Sequence, residues 1–136
     1  MSYDLMVFEP SAAPSDRSEF LEWYGQQIEW REEHGYNDPA NTTEKLRAWF
    51  FEMKKTYPAM NGPYASDDYD NIKITDYCVG QSVIYAAFRW SVAADAYRAV
   101  FESAKNFGVG FYDVSAEEGQ VWMPEPGGGF GCIHSG

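Results

Sequence analysis

The stretch from Tyr57 to Asn71 (YPAMNGPYASDDYDN) constrains this chain most, because no hydrophobic core can absorb it. Pro58, Gly62 and Pro63 break any regular element, and Asp67, Asp68 and Asp70 demand water. The elements on either side must therefore close around a long acidic connector. Connectors of that length inside one compact domain are more often functional than idle.

Before the connector, Tyr3 to Phe8 reads as a strand, with Leu5 to Phe8 apolar at consecutive positions, as in a strand covered on both faces. Pro10 and Pro14 end it. Ser15 is placed to cap a first helix, in which Phe20, Tyr24 and Ile28 recur at helical spacing and Gly35 is the expected stop. Its outer side carries Glu19, Glu22, Glu29, Glu32 and Glu33, with Trp23 and Trp30 at the edge of the stripe. A second helix, capped by Asn41 or Thr42, aligns Leu46, Trp49, Phe50, Met53 and Tyr57, and Pro58 closes it.

After the connector, Ile72–Val79 and Gln81–Trp90 read as a hairpin turning at Gly80. A third helix follows, with Ala93, Ala96, Val100, Ala104 and Phe107 on one face and Gly108 as its stop. Val109–Val114 and Gln120–Met123 are the last strands. Pro124, Pro126 and the glycines 127–129 then predict a Gly-rich tail over residues 125–136, beyond a single domain of residues 1–124.

The order β-α-α-β-β-α-β-β predicts an α+β fold: one mainly antiparallel sheet with helices packed on one face, a ferredoxin-like variant of the split βαβ unit. Right-handed crossovers then put the first and last long strands near the sheet centre. Met6, Phe8, Val83, Tyr85 and Tyr112 would share the face away from the helices. Unless the second helix or a loop covers it, that apolar face would need a partner; a homodimer is one solution, and burial by the connector is the other.

Charge narrows the function classes. The 136 residues carry 21 Asp and Glu against 10 Lys and Arg, a formal net charge of -11. Such a surface repels nucleic-acid phosphates and anionic lipid and attracts basic proteins, although acidity also serves solubility alone. No basic N-terminal region or long apolar run suggests a signal or a membrane span. Cys78 and Cys132 form no CxxC pair, so a reducing cytoplasm is the expected compartment.

Chemical motifs are scarce. Asp67, Asp68, Asp70 and Asn71 offer oxygen ligands, but from Asp68 the third ligand position of a calcium loop falls on Ile72, the turn glycine is missing, and Val79 stands where the bidentate Glu should be. His34 and His134 lack ligand-spaced partners for zinc. Ile84 stands where a nucleophile elbow at Ser82 would need its second glycine. Gly127–Gly131 precedes no helix and makes no phosphate loop. The expectation is a chain with no metal, no cofactor and no catalysis.

What remains is surface. Tyr64 and Tyr69 bracket Asp67 and Asp68, and Asp70 follows: rigid aromatic contact area beside carboxylates that steer and bond Arg and Lys. Glu29, Glu32 and Glu33 make a second acidic patch. For both, the bland alternative is a solvated surface. A rival reading places a ligand or active-site pocket between sheet and helices, with Tyr85, Tyr112, Asp76 and Asp113 pointing into it.

Six segments carry a family likeness: Ser2–Phe8 (SYDLMVF), Met60–Pro63 (MNGP), Ala65–Asp68 (ASDD), Thr75–Tyr77 (TDY), Val83–Phe88 (VIYAAF) and Gly108–Ser115 (GVGFYDVS). Over residues 2 to 124 the chain resembles a family of small bacterial proteins of polymorphic-toxin and type VI secretion loci, similar to immunity proteins. These motifs mark a family and not an activity, and no family active-site residue carries over. The resemblance implies a stoichiometric binder that covers the active site of a cognate toxin with a basic surface, such as a nuclease.

Overall fold

The computed structural model describes residues 2–32, 34–68, 70–117 and 119–134. Among the described residues, three α-helices and six strands follow one another, besides three short 3-10 turns: β1 (Tyr3–Phe8), α1 (Arg17–Gln27), α2 (Glu44–Met53), β2 (Asp76–Val79), β3 (Val83–Phe88), α3 (Ala93–Phe107), β4 (Gly110–Tyr112), β5 (Val121–Pro124) and β6 (Phe130–His134). The strands form one six-stranded sheet in the order β2-β3-β1-β4-β5-β6, and every neighbouring pair is antiparallel. The fold class is the α+β arrangement expected from the sequence. β1 runs between the two strands joined by α3, so β3-α3-β4 is a split βαβ unit. β1 and β4 hold the two middle places.

Side-chain alternation along β1 divides the core in two. Leu5 and Val7 face α2 and α3, where Ile84, Ala86 and Phe111 meet Trp49, Phe50, Val100 and Ala104. The indole Nε1–H of Trp49 donates to Ser103 Oγ at 2.8 Å, so the buried ring leaves no orphan donor. Met6 and Phe8 face the other way, against Phe20, Val83, Tyr112 and Val121.

That second cluster corrects the expected layering. α1 lies across the face that was to stay open, with Phe20 against Phe8 and Tyr112 at ring distances of 5.3 Å and Tyr24 against Tyr112 at 4.9 Å. The physical reason is mutual: the stripe of α1 and the row Met6, Phe8, Tyr112 each need burial, and together they remove both from water. The face that a homodimer would have covered is thus occupied by the chain's own helix.

Several boundaries also move. Asp16, not Ser15, caps α1, its carboxylate accepting from Glu19 N at 3.0 Å. α1 stops at Gln27, well before Gly35, because Glu29 and Glu32 would place anions at the negative end of the helix dipole. Thr43 caps α2, while Thr42 Oγ1 donates to Gln81 O and Asn41 Nδ2 to Gly35 O. Gly108 ends α3 as expected, in the left-handed region at φ 69°.

The expected tail over residues 125–136 is in part a strand. Gly128 and Gly129 have φ of 95° and 90°, and they turn the chain back so that β6 pairs with β5. The Phe130 ring then packs 5.3 Å from Phe101 and 6.0 Å from Trp122. Glycine and proline marked the turn and hid the strand behind it.

Candidate functional site

β2 is one margin of the sheet, and its outer side is roofed by two loops. The connector supplies the first. Thr75 N donates to Pro58 O, Met60 N to Thr75 O, and Ser66 N to Ala59 O, all within 2.9 Å. The Tyr77 hydroxyl donates to the buried Tyr57 carbonyl at 2.7 Å. Further on, Asp68 N donates to Ser66 Oγ, and Lys73 N to Asn71 Oδ1. These bonds tie the connector down as a ledge.

The second loop follows α1. Tyr36 O accepts from Val79 N at 2.7 Å, continuing the cover along the β2 edge. The two loops meet where Gly62 passes Asn37. Gly62 has φ 86°, and a Cβ there would overlap the Asn37 carbonyl, so only glycine fits. Acidic segments far apart in sequence are thereby joined along one margin.

The ledge presents Asp67, Asp68 and Asp70 to solvent. Among the described residues none of the three forms an ion pair. The same stretch of chain also exposes Met60, Tyr64 and Ile72, at 47%, 45% and 52%, half of the exposed large hydrophobic side chains described. Tyr64 is braced from behind by Phe51, 4.9 Å away, with the Lys54 ammonium 5.8 Å from its ring. Tyr69 lies outside the described residues.

The glutamates divide differently from expectation, since Glu29 and Glu32 lie beyond the end of α1. Glu29 is exposed and pairs with Arg31 at 3.3 Å. Glu32 is half-buried and structural: one carboxylate oxygen accepts from Gln81 N at 2.9 Å and from His34 Nε2, while Glu32 N donates to the Tyr36 hydroxyl. His34 Nδ1 lies 2.8 Å from Gly35 O, so both ring nitrogens face acceptors. That backbone bond, with the Glu32 carboxylate, raises the His34 pKa above its ordinary 6.5. Glu33 lies outside the described residues.

The residues of the rival pocket do not converge. Tyr112 is sealed beneath α1, and Asp76 accepts from Asn61 Nδ2 at 3.1 Å on the β2 margin. Asp113 is half-buried near Tyr3 and Tyr97, with Oδ1 unpartnered among the described residues, and burial pushes its pKa up. Tyr85 stands apart in a small cleft on the α1 face, donating to Asp4 Oδ2 at 2.5 Å. Cys78 lines the same cleft, and burial, with Asp76 and Asp4 nearby, pushes its thiol up to about 11, away from nucleophilic character. Among the described residues no cluster of three or more His, Cys, Asp or Glu side chains could hold a metal, and no helix is long and apolar enough to cross a membrane.

Sequence reasoning found the aspartates and Tyr64 but not Met60 or Ile72. Met60 stands inside the turn-rich connector, and Ile72 was expected to open the hairpin's first strand, which begins at Asp76 instead. The contact of Gly62 with Asn37 left no mark in the sequence. Comparison with family models, with curated proteins and with solved structures finds no match.

Proposed function

We propose that the protein works by binding another protein through the β2 margin, without catalysis, as an immunity protein that neutralises a cognate bacterial toxin. The observation that carries this reading is the ledge itself: Met60, Tyr64 and Ile72 are exposed on the same stretch of chain as three aspartates that form no ion pair among the described residues, on a loop tied down by backbone bonds. Apolar anchors ringed by charge are the anatomy of a protein interface. A preformed ledge loses little conformational freedom on binding. The acid excess, 21 against 10, selects a basic partner and speeds its approach. A nuclease groove, built to hold phosphates, is such a surface, and the aspartates would occupy its phosphate positions.

The test is co-expression with the product of the adjacent open reading frame. Wild-type protein is expected to relieve that product's toxicity and to co-purify with it. The variant carrying Asp67→Asn, Asp68→Asn and Asp70→Asn is expected to do neither at equal abundance. Undiminished protection by this variant would move the interface elsewhere.

A further inference from the structure

α1 covers only part of its side of the sheet. The cross-strand row on that face runs Cys78, Tyr85, Met6, Tyr112, from β2 to β4. The helix seals the Met6 and Tyr112 end, and the chain beyond α1 comes down over the other. It does so through Trp30, the one described non-glycine residue with positive φ, at 52°. An aromatic residue held there is strained, and such strain gathers at functional sites. The outcome is a cleft of about 280 Å³ lined by Ile28, Trp30, Cys78 and Tyr85.

We propose that this cleft binds a small organic cation, an alkylammonium or guanidinium head carried on an aliphatic stem. Trp30 and Tyr85 stand at 89° to each other with ring centres 6.3 Å apart, giving two aromatic walls of a corner. Aromatic faces attract cations, indole most strongly. The Tyr85 hydroxyl donates to Asp4 Oδ2, which enriches its ring in electron density and puts a carboxylate behind the wall. The other Asp4 oxygen is fixed by Ser2 Oγ at 2.5 Å.

The negative end of α1 reaches the cleft at Ile28, and the last turn of that helix holds no basic residue. Among the described residues no lysine or arginine of the chain lies over either ring: Lys54 sits over Phe51 and Tyr64, and Lys73 over Tyr57. Arg31, next to Trp30, is turned outward onto Glu29. Ile28 supplies the apolar side for a stem. The site is independent of whether the connector binds a protein.

The probe is tetramethylammonium, titrated into the intact protein against the uncharged neopentyl alcohol of similar shape. The Trp30 indole N–H resonance reports occupancy. The expected result is a saturable shift with the cation at a Kd at least about tenfold below that of the alcohol. Trp30→Leu is expected to abolish cation binding, and Tyr85→Phe to weaken it severalfold. Equal or tighter binding of the alcohol, or no saturable shift with the cation up to about 100 mM, would overturn the proposal. The comparison of the two probes on wild-type protein decides the matter even if Trp30→Leu fails to fold.

Discussion

The two margins of the sheet solve the same problem in opposite ways. At the β2 margin Val79 N donates to Tyr36 O, and Thr75, just before the strand, pairs with Pro58 and Met60 of the connector, which carries the acidic ledge. At β6 no described residue pairs with the outer side, and Phe130 to His134 contains no Lys, Arg, Asp, Glu or Pro. Natural edges are usually blunted by charge, proline or cover. A roof that only protected an edge would present polar side chains. This one exposes Met60, Tyr64 and Ile72, which cost solvation and return nothing until a partner covers them.

The largest effect is expected where the two roofing loops touch. Gly62→Val forces a branched side chain into positive φ and against the Asn37 carbonyl, and should destabilise the fold by about 3 kcal/mol in urea titration. Amide exchange should then accelerate along β2 but not β6. Uniform acceleration would mean that the margins are not separate units.

Next is the bare margin. Phe130→Ala removes a half-buried ring from Phe101 and Trp122 and should cost about 1–2 kcal/mol. Release of β6 should leave partner binding at the β2 margin unchanged, which separates the roles of the two edges.

The His34 clamp gives a pH dependence confined to the β2 side. Its pKa in the folded chain lies above the ordinary 6.5, so its contribution to stability is full below that value. The contribution fades as pH rises through the folded pKa. Exchange at the Gln81 amide, which Glu32 accepts, should therefore quicken on going from mildly acidic to mildly alkaline solution, beyond the intrinsic increase. His34→Gln should remove the excess.

The smallest stability effect is expected from the aspartates. Asn at positions 67, 68 and 70 should change stability by no more than about 0.5 kcal/mol, since these side chains are exposed and unpaired.

Much of the frame was legible in advance. Consecutive apolar residues in β1 announced a strand covered on both faces, and the stripes of α2 and α3 announced the larger core. What covered the second face was not legible, because pairing Phe20 and Tyr24 with Met6 and Tyr112 is a tertiary choice. The glutamates after Gln27 kept helical spacing, yet dipole and clamp geometry drew them into a loop. β6 was hidden because its glycines read equally as an end or a turn. At the ledge, composition disclosed the charge. Only the fold disclosed that apolar side chains of the same stretch stay exposed.

The most direct measurement is the dissociation constant of the complex with the adjacent gene's product, for wild type, the triple Asn variant and Met60→Ala with Ile72→Ala. The account predicts that each set weakens binding by at least about tenfold, as interface anchors do. It also predicts that the triple variant acts chiefly on the association rate and flattens its salt dependence. Affinity within about threefold of wild type for both variants, at unchanged stability, would contradict the assignment of the β2 margin as the binding surface.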